Sequence, residues 1–161
     1  MSAMDSLRRA LTIAAALVLT GLWGGVSLAA VSVPWATQAG DASGDIGIAI
    51  STLPDGSSIV TGYFAGTATF GSTTLASAGN EDVFVAKIDA SGNYLWAKQA
   101  GGISWDIGRA ISTLSDGSAI VTGAFVGTAT FGSTTLASAG NEDVFVAKID
   151  ASGNYLWAKQ A

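Results

Sequence analysis

The sequence predicts an all-β protein in which one structural unit is written twice behind an N-terminal apolar segment. Three observations predict it. Trp35, Trp96 and Trp157 recur at intervals of 61 residues, and residues 40–100 align without a gap on 101–161, with 53 of 61 positions identical. Within each unit the apolar residues alternate with a period of two, which places successive side chains on opposite faces of a strand. After the first thirty residues no segment has the periodicity of a helix.

The first unit shows the elements in order. Residues 46–53 alternate isoleucine with small residues and read as a strand. Pro54-Asp55-Gly56 turns the chain, because proline presets φ and glycine accepts positive φ. Residues 58–64 are β-branched and aromatic, which suits a pleated, half-buried surface. Thr67–Phe70 and Thr73–Ala76 flank Gly71-Ser72 and predict a short hairpin. Residues 82–88 form the strongest strand; Asp89-Ala90-Ser91-Gly92-Asn93 is the next turn, and residues 94–99 the last strand. Each unit thus gives four main strands and a short hairpin. Val83 and Val85 point to one face and Phe84, Ala86 and Ile88 to the other, so the sheet needs cover on both sides. Radially stacked four-stranded sheets meet that need, and the predicted architecture is two four-stranded β-propeller blades of an incomplete propeller.

The N-terminal segment reads as an address. Arg8 and Arg9 precede an uncharged run over residues 10–23, and Ser27-Leu28-Ala29 offers small residues where a signal peptidase reads. The expected organisation is a signal peptide, helical in its apolar part, over 1–29, with cleavage after Ala29. A lead-in strand over 30–39 and repeats over 40–100 and 101–161 follow. Export to the periplasm, cell surface or medium is the expectation, with membrane attachment only if the leader stays uncleaved.

The pattern WAKQAGG, D-I-G-x-A-I, DGS-x-IVTG, GTATFG and FVAKIDASGNYLW, taken in order, resembles the bacterial β-propeller repeats known as SBBP repeats, over about 35–161. That resemblance implies exported or surface-associated bacterial proteins with propeller blades. It supplies no catalytic motif. The Asp89…Gly92…Trp96 stretch also looks like the turns of quinoprotein and Asp-box propellers, which implies a structural role.

Composition excludes several chemistries. The chain has no cysteine and no histidine, so it holds no disulfide, no thiolate zinc site, no Ser-His-Asp triad and no imidazole base. Seven Lys+Arg against twelve Asp+Glu give a formal charge of −5, which argues against nucleic-acid binding. No cofactor motif occurs, and the acidic residues lack the dense oxygen spacing of a calcium loop. Glu81-Asp82 and Glu142-Asp143 are therefore expected to be solvated turn acids. Asp55, Gly56, Asp89 and Gly92, with their counterparts Asp116, Gly117, Asp150 and Gly153, are expected to be structural turn residues, the acids accepting backbone N–H bonds. The eight positions that differ between repeats carry the asymmetric information. Trp105 replaces Gly44 and Arg109 replaces Ile48, and a Trp–Arg pair could stack on a sugar or hold an acid. With Tyr63 they are the candidate ligand-binding residues.

Three functional classes stay open on sequence. The first is a non-enzymatic structural or interaction module, packed on further blades in the same chain or on other copies. The second is a lectin-like propeller with a glycan ligand. The third is part of a propeller enzyme whose catalytic residues lie outside this sequence. The two bare blade faces predict a longer or self-associated assembly, and a tendency to aggregate when uncovered.

Overall fold

The computed structural model describes residues 35–161. The leader over 1–29 and the first part of the lead-in strand lie outside the described residues. Those residues form ten strands and, among them, no helix.

The first repeat contains β1 (Asp45–Thr52), β2 (Ser58–Phe64), β3 (Thr67–Phe70), β4 (Thr73–Ala76), β5 (Asp82–Ile88) and β6 (Tyr94–Ala100). The second contains β7 (Asp106–Thr113), β8 (Ala119–Phe131), β9 (Thr134–Ile149) and β10 (Tyr155–Gln160). Each repeat builds one antiparallel four-stranded sheet, in the order β1-β2-β5-β6 and β7-β8-β9-β10. The expected hairpin is the two-stranded β3-β4 sheet in repeat 1. In repeat 2 the same residues extend β8 and β9, whose ladder runs past a bulge between Val126 and Thr128 to Phe131↔Thr134. The two sheets do not close into a ring.

Corresponding positions carry corresponding irregularities. β1 bulges between Gly47 and Ala49, and β7 between Gly108 and Ala110, so Ile48 and Arg109 are the extra, unladdered residues. At the other end, Leu53 N–H bonds to Ser57 O at 2.8 Å, and Leu114 N–H to Ser118 O at 2.8 Å, closing the same turn twice.

The sheets stack face on face. Each has a leading face and a trailing face, and the trailing face of repeat 1 meets the leading face of repeat 2. From repeat 1 come Ile59, Val83 and Val85; from repeat 2 come Val121, Phe125, Phe131, Phe145 and Ala147; together they form one buried cluster. The leading face of repeat 1 holds the equivalent residues Phe64, Phe70, Phe84 and Ala86 as a separate cluster, with Val60 and Tyr94 left partly open. Burial of this kind yields roughly 25 cal/mol per Å² of apolar surface withdrawn from water.

Close approach at the junction depends on Gly108. A methyl group there would lie 2.2 Å from Thr61 Oγ1 and 3.2 Å from Val83 Cγ1. The equivalent Gly47, on the open leading face, would meet only Val60 Cγ1 of its own sheet, at 3.7 Å. Backbone bonds reinforce the contact: Asp106 N–H donates to Glu81 O at 2.8 Å, and Thr113 N–H to Ser51 Oγ at 3.1 Å.

Gly108→Ala is therefore expected to cost about 1–3 kcal/mol through overpacking. Gly47→Ala in dilute solution should change stability by less than about 1 kcal/mol. Urea unfolding followed by tryptophan fluorescence checks both; equal effects would contradict the face-on-face packing.

Candidate functional site

The turn residues build a recurring device that ties each sheet to the strand before it. Asp89 Oδ1 accepts the N–H groups of Ser91 (2.8 Å) and Asn93 (2.9 Å), and its Oδ2 accepts Asn93 Nδ2–H (2.9 Å). Asp150 does the same with Ser152 and Asn154. These bonds hold both carboxyls below the usual carboxylate range, chiefly through the Asn93 side chain for Asp89 and the Asn154 backbone for Asp150. Gly92 (φ 89°) and Gly153 (φ 86°) supply the left-handed residue. The turn presents one carbonyl outward. Trp35 Nε1–H donates to Ala90 O at 3.0 Å, and Trp96 Nε1–H to Ala151 O at 3.1 Å. A Cβ on Gly92 would lie 2.8 Å from the Trp35 ring, and one on Gly153 3.0 Å from Trp96, so each indole lies flat on its glycine. Trp157, the third of the series, has no acceptor among the described residues.

The Asp55 and Asp116 turns are local. Asp55 Oδ1 accepts Ser57 N–H at 2.9 Å and the Ser57 hydroxyl at 2.6 Å; Asp116 binds Ser118 in the same way. Those bonds, with the serine hydroxyl first, lower both pKa values. Gly56 and Gly117 take φ of 81° and 82°. Lys148 Nζ stands 3.9 Å from Asp116 Oδ2 at the surface.

The three candidate ligand residues do not converge. Trp105 is 59% exposed, in a loop whose backbone forms a parallel bridge with Glu81. Arg109, at the β7 bulge, is committed to an exposed ion pair with Glu142 at 3.2 Å. Tyr63 pairs in register with Ile46 and Val83. All three stand at the same end of the sheets, but no hydrogen bond joins them and they line no common cleft. A cleft lies instead on the leading face of repeat 1, lined by Asp45, Gly47, Val60, Phe70, Phe84 and Tyr94.

The junction also contains a pair of acids that sequence reasoning placed in solvent or passed over. Asp82 and Asp106 are fully buried. Each caps a loop four residues upstream: Asp82 Oδ2 accepts Ala78 N–H at 2.8 Å, and Asp106 Oδ2 accepts Gly102 N–H at 2.7 Å. Their Oδ1 atoms have no partner among the described residues. Both carboxyls flank Gly101, where a built Cβ would stand 2.7 Å from Asp82 Oδ1 and 2.8 Å from Asp106 Oδ2. Expected as a solvated turn acid, Asp82 is instead sealed in by repeat 2; its repeat equivalent Asp143 is only partly buried. The signal available in the sequence was the aspartate four residues after a small-residue loop, occurring twice per repeat. Among the described residues no group of three or more acidic side chains is placed to hold a metal ion.

Burial raises the Asp106 pKa from 3.8 to about 6, with the Asp82 charge adding to it and the Gly102 N–H opposing. Burial also raises Asp82. A raised acid binds its proton more tightly in the folded chain than in the unfolded one, so stability grows as pH falls from above 6 towards 4. The turn acids, with lowered pKa values, act in the opposite sense and only below about pH 4. The protein is thus expected to be more stable at pH 5 than at pH 8. Asp106→Asn, whose amide can still accept from Gly102, should stabilise it by about 1–3 kcal/mol at pH 8 and flatten that dependence. Urea midpoints at the two pH values provide the check, and a wild-type protein more stable at pH 8 would contradict the buried pair.

Compared with protein-family models and with the curated proteins, the sequence finds no match.

Proposed function

We propose that the chain is a non-enzymatic structural and interaction module of an exported bacterial protein, built of propeller-type blades akin to SBBP repeats. On this reading it works through its sheet faces, which take like-shaped repeats or protein surfaces. The observation that carries the reading is a comparison of identical residues. Val83, covered by repeat 2, is 0% exposed, whereas Val144, its counterpart on the trailing face of repeat 2, is 49% exposed. On the open leading face, Ile50 is exposed, while its counterpart Ile111 is half-buried. The same side chains serve as core in one repeat and as surface in the other, which is the signature of a stacking unit.

The lectin-like reading gains no support from the site, because Tyr63, Trp105 and Arg109 form no common pocket. The reading as part of an enzyme has no observation in its favour, since the buried acid pair Asp82–Asp106 is sealed inside a packing junction rather than opened to a cleft.

Appending a further copy of residues 101–161 after Ala161 tests the module reading. A new neighbour should cover Val144 and give Trp157 a turn to rest on. The expected result is a higher urea midpoint and a blue-shifted tryptophan emission. A third unit that folds without raising the midpoint would overturn the docking role of the faces. For the export part, mass spectrometry of protein secreted by a bacterial host should find Ala30 as the first residue.

A further inference from the structure

We propose that the trailing face of the β7–β10 sheet takes the leading face of a second copy of this chain, so that chains stack head to tail. The inference rests on the reading above and commits it to one occupant. Its template is the junction between the two repeats. Both halves of that junction are present again, uncovered, on opposite sides of the molecule.

The fit follows residue by residue. Repeat 1 presents Thr61 and Val83 to Gly108 of repeat 2. The uncovered trailing face presents the same residues as Thr122 and Val144, with Thr122 held in the same rotamer-fixing bond to Phe145 O (2.8 Å) that Thr61 makes to Phe84 O (2.8 Å). The uncovered leading face presents Gly47 in the lining of its cleft, together with Asp45, whose Oδ1 is unpartnered. In repeat 2 the equivalent place, around Asp106, Gly108, Val121 and Phe145, is filled by repeat 1. The cleft is therefore the imprint of a missing trailing face, and the partner's Val144 is the side chain that fills it. Val60 and Tyr94, left partly open there, correspond to Val121, which is buried, and to Tyr155, whose hydroxyl is buried.

One position is contested. In the repeat junction, Trp96 reaches forward to Ala151 O; by the same step Trp157 would reach the partner's Ala90 O, which the partner's Trp35 already occupies. Trp157 stands in β10, laddered to β9, whereas residues 35–39 belong to no strand and are held by the Trp35–Ala90 bond, the packing of Ala39 on the leading-face cluster and the neighbouring Gly40–Thr69 bridge, all of which a docked β10 displaces. The weaker hold yields, and the partner's Trp35 gives up its carbonyl to Trp157. Because the contact is heterologous, each added copy leaves another open face, so association continues beyond the dimer.

Light scattering on the full chain, with two face variants, tests this. Wild type should show concentration-dependent growth past the dimer. Gly47→Ala puts a methyl against the partner's Thr122 hydroxyl, and Val144→Glu puts a second carboxylate into the cleft that already holds Asp45; each variant alone should be monomeric. Mixed in equal amounts, they should form a dimer and stop there, because one intact leading face meets one intact trailing face. Trp157→Ala should weaken association about tenfold, and Trp35→Ala should strengthen it, as expected for one indole N–H bond and its ring contact changing hands. Wild type that stays monomeric, variants that associate as wild type does, or a mixture that stays monomeric would each overturn the proposal. If the added tandem repeat raises stability while the wild type stays monomeric, the self-docking inference fails and the module reading stands.

Discussion

The structure depends on one contact: the trailing face of one sheet laid against the leading face of the next. A four-stranded sheet of this composition is apolar on both sides. Val83 and Val85 face one way and Phe84 and Ala86 the other, and neither side can be left wet without cost. The first strand carries glycine where the sheets come closest, so backbone can lie against the Thr61 and Val83 side chains without a Cβ between them. The indole of the preceding outer strand then clamps the far turn from outside. Face packing gives the energy, and the Trp–turn bond fixes the register between sheets.

The same contact burdens the acids at its edge. The Oδ2 atoms of Asp82 and Asp106 satisfy loop N–H groups. The remaining oxygens are buried with nothing to accept. A carboxylate is a strong acceptor for a loop amide and a poor occupant of an apolar junction. Loop closure uses one end of the group while desolvation penalises the other. Asp45 and Asp143, at the open ends of the stack, close their loops with the same Oδ2 bonds under less burial. Asp45 Oδ1 is buried without a partner even on the open face, so the conflict belongs to the repeat and stacking sharpens it.

Much of this was legible in the sequence, because the governing patterns are local. Period-two alternation, Pro-Asp-Gly and Asp-x-x-Gly turns, and the 61-residue spacing mark the strands, the hairpin and their order. The need for cover on both faces was legible in Val83–Ile88 alone. What was not legible depends on which residues meet across the junction. Asp82 reads as a loop acid in its own repeat and becomes a core acid only when repeat 2 is laid on it. Gly108 reads like Gly47 and acquires its role only from Thr61. Trp105, Arg109 and Tyr63 stand out because they break the repeat, yet difference between copies carries no information about convergence. Arg109 ends at a bulge, paired to Glu142, and Trp105 ends in an exposed loop.

The positions of most of the eight differences fit the stacking constraint. Six of them, at 41, 42, 44, 48, 63 and 65 in repeat 1, belong to the loop before the first strand, its bulge, and the end of the second strand. The register joins these stretches, pairing Asp45 with Phe64 and Ile46 with Tyr63, so they form one rim of the sheet. Face residues are constrained twice. A trailing-face side chain must fit the leading face ahead of it, and that leading face is a copy of its own repeat's other side. A change at Val83 would need an answering change at Gly108 or Val121, and the same change in repeat 2 would need one in whatever covers Val144. Rim residues carry less of this obligation, because most of them meet solvent or a loop; Tyr63, beside Val83, stands at the edge of the covered face. A stack of like sheets therefore concentrates variation at its rim, with Ser58/Ala119 the one difference buried in both repeats.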